Sequence, residues 1–172
     1  MSIGSTAALA ARTIVDYAPQ YQADFYRLNE AWIDPNFGME AEDIAFLSDP
    51  QANLIDGGGA VFMALQNQEQ GETAVGSAGL IKMDDETVEL VRVAVDTSAQ
   101  GQGLGKQLTL HAIAWAKAHG FKRVILESSA QPINARAVAM YERLGFRHYT
   151  PKPEHRSALA RAEVFMIYEP LN

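Results

Sequence analysis

VELVRVAVDTSAQGQGLGKQL, from Val88 to Leu108, begins as an apolar run, passes through Gly101, Gly103 and Gly105, and continues from Leu104 as a good helix. A strand ending at Val95 thus leads through a glycine-rich loop into a helix. That order exposes backbone N–H groups at a helix N-terminus, where they and the helix dipole attract phosphate oxygens. Glycine leaves the approach open, because any side chain would block it. An anion such as a pyrophosphate fits such a loop. Three glycines also make a plain tight turn, so both readings stand at this point. Two familiar loops fit badly. A nucleotide P-loop needs Gly-Lys-Ser/Thr, and here Gln107 follows Lys106. A dinucleotide loop needs G-x-G-x-x-G, and here the spacing is G-x-G-x-G.

Upstream, Ala60–Leu65, Thr73–Lys82 and Thr87–Val95 are strand-like runs parted by polar turns at Gln66–Glu72 and Asp84–Glu86. Short loops of this kind predict an antiparallel meander. Arg12–Tyr17 is β-like. A helix opens at Pro19 and runs through Trp32, with Tyr21, Phe25, Leu28 and Trp32 spaced by three or four. "IDPNFG" at Ile33–Gly38 is expected to break it. A second helix is expected over Ala41–Leu47, and a loop at Asp56–Gly59. Downstream, the helix after Gly103 should reach about His119 and stop at Gly120. Phe121–Glu127 reads as a strand. A helix follows Pro132 and Asn134 to near Leu144, and Arg161–Glu169 alternates like a closing strand. There is no repeat, low-complexity segment or linker. The order β-α-α-β-β-β-α-β-α-β predicts an α/β fold, one mixed sheet with helices on its faces, in a single domain over residues 1–172.

The bulk numbers exclude several classes. Hydrophobic residues make up 48% and charged residues 20% of 172, so a disordered or collagen-like chain is excluded. The formal net charge of -7 leaves no basic stripe for a phosphate backbone, so no nucleic-acid partner is expected. An acidic surface tolerates a cationic amine substrate. With no cysteine, disulfides, thiolate metal sites and cysteine nucleophiles are excluded. The opening MSIGSTAALA lacks a basic region before a long apolar core, so a secretory signal is not expected. No apolar run approaches the ~18 residues of a membrane span. No membrane partner is expected, and a cytoplasmic protein is the default. His111 shares a helical stripe with Leu104, Leu108 and Trp115, which predicts a packed structural histidine. No His/Asp/Glu grouping has metal-ligand spacing, so no metal is expected. Ser128-Ser129 lacks a G-x-S-x-G elbow, which argues against a serine hydrolase.

Gln100-Gly101-Gln102-Gly103-Leu104-Gly105 reads as Q-x-x-G-x-G, and this resembles the acyl-CoA pyrophosphate loop of the GNAT N-acetyltransferase superfamily. The resemblance extends over Thr87–Phe146. Val88–Leu108 looks like the family's fourth strand, loop and third helix. NARAVAMYERLGF at Asn134–Phe146 looks like its Asn-x-x-Ala-x-x-x-Tyr-x-x-x-Gly-Phe segment. "LNEAWI" at Leu28–Ile33 resembles a bacterial subgroup of small GNAT proteins. The resemblance implies the GNAT fold and acetyl-CoA as acyl donor. It implies direct transfer to a primary amine, a small amine or amino acid being the favoured acceptor. Rival acceptors are a protein N-terminus or lysine; a rival class is a non-catalytic acyl-CoA sensor. A homodimer is expected from resemblance alone.

Site residues follow by the same route. Val93, Ala94 and Val95 would pair through their backbone with the pantetheine arm, at a β-bulge. Val88 and Leu90 share one parity and Val91, Val93 and Val95 the other, so either both faces are buried or the phase slips. Gln100, Gly101, Gln102, Gly103, Leu104, Gly105 and Lys106 would hold the phosphates. Glu89 inside the apolar strand is either a general base, its pKa raised by partial burial, or a solvent-facing residue paired with Arg92. Tyr141 sits at helical spacing with Ala137 and Leu144. Its ring can pack while its hydroxyl, which the resemblance makes the proton donor to the leaving thiolate, reaches the cleft. Asn134 reads as a helix N-cap, and the resemblance adds a pantetheine contact. Trp32, Phe37, Glu30 and Glu40 are the candidate acceptor-side residues, the two glutamates being competing bases.

Overall fold

The computed structural model describes residues 11–171. The opening stretch over which no secretory signal is expected, residues 1–10, lies outside the described residues. Seven strands form one sheet: β1 (Arg12–Asp16), β2 (Ala60–Gln68), β3 (Gly71–Lys82), β4 (Thr87–Val95), β5 (Arg123–Ser128), β6 (Arg147–His148) and β7 (Val164–Tyr168). Their spatial order is β1-β2-β3-β4-β5-β7-β6. All neighbouring pairs are antiparallel except β4 with β5. Four α-helices flank the sheet: α1 (Gln22–Phe37), α2 (Ala41–Ser48), α3 (Leu104–Ala118) and α4 (Ala135–Leu144). Among the described residues, no helix is long and apolar enough to cross a membrane.

The sheet is covered on both faces, and β2 records it residue by residue. Phe62 and Ala64 belong to the core shared with α3 and α4, whereas Val61, Met63 and Leu65 belong to the core shared with α1 and α2. Alternation alone sends successive side chains to opposite faces. A strand buried on both faces therefore reads as a continuous apolar run, as AVFMAL does.

Two expectations need correction. The first helix does not break at Ile33. It carries Pro35 inside and ends only at Gly38, whose φ of +77° takes the chain out of the helix. Pro35 lies in the last turn, where little of the helix remains to be disrupted. Asn36 Nδ2 donates to the Trp32 carbonyl at 2.7 Å, a further bond within this last turn. This helix also begins later than expected, after a single 3-10 turn at Pro19–Tyr21. A π-helical turn at Gln51–Ile55 and the two-residue strand β6 had no signal strong enough to read. At Gly59, a Cβ atom would stand 1.8 Å from the Leu80 carbonyl oxygen. The glycine run thus lets the chain enter β2 in backbone contact with β3.

Candidate active site

The site grows from a fault in β4. Ser77 pairs with Ala94 and Gly79 with Val91, so Arg92 and Val93 together oppose Ala78 alone. This is a β-bulge. Arg92 sits at φ 54°, the left-handed region, and is the one non-glycine residue with positive φ among those described. The strand's phase slips here. Val88 and Leu90 face the α3/α4 core, Val91 faces the α1/α2 core, and Val93 and Val95 turn back to the first side. Both alternatives posed by the sequence are therefore realised. The bulge is tied down: Ser77 Oγ donates to the Arg92 carbonyl at 3.1 Å, and Asn29 Nδ2 donates to Ser77 Oγ at 3.2 Å. Both polar side chains are buried.

Just before the bulge, β4 loses one of its two neighbours. The parallel ladder to β5 ends at Leu90 opposite Leu126, although β4 continues to Val95. The strands part, and a cleft of about 360 Å³ opens between them. Its walls come from both faces of the sheet. Trp32, Phe37 and Phe46 belong to the α1/α2 side, and Asn134, Ala137 and Tyr141 to the α4 side. The cleft therefore passes through the sheet at the gap.

Glu89 and Tyr141 meet in this cleft. Glu89 is only 8% exposed, which rules out the solvent-facing reading. Its carboxyl is pushed up to about 8, first by burial and next by the negative charge of Glu127; Arg92 pulls weakly the other way. The Tyr141 ring packs edge-on to Phe146 at 5.5 Å, and burial pushes its phenol up to about 12. Packing and exposure to the cleft coexist in one side chain. Asn134 departs from expectation. It stands at the start of α4 but makes no side-chain cap. Its Nδ2 donates instead to Ser128 Oγ at 3.0 Å, while Oδ1 is buried without a partner. An orphaned acceptor in a cleft wall suits a ligand N–H donor.

The glycine loop lies at the end of the same strand, outside the cleft walls. Gly101 and Gly103 have φ of +76° and +78°, and open space surrounds the position a Cβ would take at each. The first bond of α3 runs from Gln107 N to Gly103 O at 3.0 Å, so the N–H groups of Leu104, Gly105 and Lys106 precede the helical ladder. The Leu104 side chain is core, leaving only its backbone for the loop. Gln100 Nε2 donates to the Val95 carbonyl at 3.1 Å, bracing the loop against β4, and Gln102 Oε1 accepts from the Arg12 guanidinium. Lys106 is exposed. Of Val93, Ala94 and Val95, only Val93 lines the cleft; Ala94 is buried on the α1/α2 side, and Val95 adjoins Gly105.

On the acceptor side, Trp32 and Phe37 line the cleft, but Glu30 and Glu40 do not. Glu30 is exposed on α1. Glu40 is exposed too, its carboxylate engaged in a capping box with Asp43 at the start of α2. A capping glutamate is held at the helix end and is not free to act in the cleft. The structure supplies other charged groups there. Arg92, Glu127 and Arg161 line the walls. Fully buried Asp43 accepts from Arg161 Nη2 at 2.7 Å and Arg92 Nη2 at 3.1 Å, both on Oδ1. Despite its burial, its hydrogen bonds and the two guanidiniums hold its pKa below the usual range. Glu127 accepts from the Ser157 backbone N–H at 2.7 Å. Glu127 had a weak signal, a carboxylate closing the apolar run VIL; Arg161 had none. His111 packs edge-on against Phe62 at 4.7 Å, the structural role its stripe predicts.

The family model for the acetyltransferase (GNAT) family matches residues 11–146. The mycothiol acetyltransferase of Acidothermus cellulolyticus is 31% identical over 146 residues, which is 83% of this chain but 40% of that protein. The uncharacterized N-acetyltransferase YvbK of Bacillus subtilis is 32% identical over 116 residues, 63% of this chain and 68% of that one. A GNAT-family acetyltransferase structure from Staphylococcus aureus Mu50 superposes with a TM-score of 0.79 at 23% identity, covering 94% of this chain and 100% of that one. An acetyltransferase structure from Streptococcus agalactiae 2603 gives 0.79 at 20% identity, covering 92% and 98%.

Proposed function

The chain belongs to the GNAT family of acetyltransferases, and from that premise we propose that it moves the acetyl group of acetyl-CoA directly to a primary amine. The observation that carries this reading is the parting of β4 from β5, with Glu89 and Tyr141 in the cleft between them. Acetyl-CoA would supply an activated thioester carbonyl. The remaining work falls to this chain's residues. Gly101, Gly103 and the first-turn N–H groups of α3 take the diphosphate, with Lys106, Gln100 and Gln102 beside them. The unpaired edge of β4 from Val93 to Val95 pairs with the pantetheine arm, and the orphaned Asn134 Oδ1 accepts an amide N–H from it. Glu89 takes a proton from the amine, its base form filling as pH rises toward about 8. Tyr141, protonated up to about 12, presents a phenolic proton to the departing thiolate. The absence of cysteine accords with transfer that involves no thiol acyl-enzyme.

A small amine acceptor fits within the cleft of about 360 Å³. A cytoplasmic, homodimeric protein is part of the same reading, on the family's pattern; light scattering on the eluted protein tests the dimer. The central test combines calorimetric titration with acetyl-CoA and a thiol-release assay across an amine panel. Binding together with amine-dependent release is expected. No binding at millimolar acetyl-CoA overturns the reading. Saturable binding with no release for any amine favours the sensor.

A further inference from the structure

The acceptor end of the cleft holds a guanidinium donor without a partner, among walls that also carry Glu42, Glu89 and Glu127. Arg92 and Arg161 share a single carboxylate, Asp43, and both guanidiniums bond the same oxygen. The other oxygen, Oδ2, is taken by the Glu40 backbone N–H at 3.1 Å. Asp43 thus meets each of the two guanidiniums through Nη2 alone. Arg161 Nη1 is buried and has no hydrogen-bond partner among the described residues. A buried guanidinium donor is costly to leave unpaired, because it has given up water and gained nothing in return. The Arg161 guanidinium is also held in place, with its carbon 5.2 Å from the centre of the Phe37 ring. It is a pre-positioned donor lining the same cleft as Glu89. It also lies beyond residues 11–146, the span of the family match.

We propose that Arg161 binds the carboxylate of the amine acceptor, so that the acceptor is an amino carboxylic acid; this rests on the acetyl-transfer reading above. The planar guanidinium suits a planar carboxylate, and Nη1 is the end left for it. The two charge types in the cleft match a zwitterion. Glu89 and Glu127 offer acidic surroundings for its ammonium, and Arg161 takes its carboxylate. Trp32, Phe37 and Phe46 supply apolar and aromatic wall for a side chain. Because Nη2 stays on Asp43, the carboxylate gains Arg161 without releasing the buried aspartate.

The test compares the wild-type protein's kcat/KM for each of the L-amino acids with that for its decarboxylated amine and its amide, using acetyl-CoA and thiol release. The amide removes the charge while making the amine less basic, so it controls for amine protonation. The best amino acid is expected to exceed both counterparts by about ten- to a hundredfold, as for one charge-assisted hydrogen bond. R161A is expected to collapse that ratio towards one, mainly through KM. R161K keeps a cation on Asp43 but loses the fork, so it should fold even if R161A does not, and it should also lower the ratio. Counterparts acetylated as well as the amino acids, or a ratio that survives in both variants, overturns the carboxylate site and leaves acetyl transfer standing. Acetyl-CoA binding with no thiol release for any member of the panel overturns both readings.

Discussion

Glu89 and Tyr141 are both buried ionisable groups, and burial acts on them in opposite practical senses. For Glu89 it raises the carboxyl to about 8, so the base form fills only as pH approaches that value. The kcat/KM of the wild-type protein should therefore rise about tenfold per pH unit below 8 and level off above it; E89Q should lose both the rise and most of the rate. A pH–rate profile of the two proteins checks this. The same shift affects stability with a fixed sign. The folded state keeps the proton to about 8, whereas an unfolded glutamate releases it near 4.5. Between those values the folded chain holds more protons, so this contribution is full below 4.5 and is lost as pH rises through 8, at up to about 1.4 kcal/mol per unit. Urea titrations should accordingly show E89Q gaining on the wild type from pH 5 to pH 8. For Tyr141, burial keeps the phenol protonated throughout this range. Y141F should lower kcat by about a hundredfold while acetyl-CoA affinity, measured by calorimetry, stays within about twofold. An unchanged kcat removes the proposed acid. Both residues were legible as chemical candidates from the family resemblance, Glu89 also as a carboxylate inside an apolar strand. Their burial was not, because it depends on Glu127, Phe146 and a cleft wall drawn from distant segments.

At the scale of elements, β4 does two things that a regular strand cannot. Its bulge at Arg92 shifts the phase of every following side chain, and its unpaired end faces a gap in the sheet. The parities of Val88–Leu90 and Val91–Val95 allowed either a slip or two buried faces, and parity cannot say which residue takes the strained conformation. That is fixed by Ser77 and Asn29, which hold the Arg92 carbonyl from β3 and α1. The loop that follows was the most legible part of the chain, because a helix entrance is a local structure. At Gly103 the φ of +78° disfavours a side chain though the space is open. G103A should cost about 1 kcal/mol in stability and weaken acetyl-CoA binding measurably by calorimetry. Gly59 is the opposite case, a steric requirement with the Leu80 carbonyl 1.8 Å from a built Cβ. G59A should destabilise the fold by more than about 3 kcal/mol in chemical denaturation, with β2 and β3 forced apart. The first helix shows where local signals mislead. Pro35 reads as a breaker, yet Trp32, Ile33 and Phe37 are carried into the cleft wall by a helix that continues past it.

For the whole molecule, we expect the described residues 11–171 to unfold as one unit, since one sheet joins the two cores and β2 contributes to both. Circular dichroism and tryptophan fluorescence should give coincident urea transitions; separated midpoints would divide the chain into independent parts. A cysteine-free chain should also keep full acetyl-transfer activity after treatment with iodoacetamide, assayed once the reagent is removed. The roles of the glycine loop, Glu89, Asn134 and Tyr141 are proposals drawn from the family resemblance. The order of elements and the glycine-rich helix entrance were within reach of the sequence, because each is encoded over a few neighbouring residues. The acceptor end was not. Asp43 and Arg161 are 118 positions apart, and neither carries a motif. Charge pairing, an unpartnered guanidinium and the raised carboxyl of Glu89 are properties of groups brought together in low-dielectric surroundings, and only the folded chain creates those surroundings.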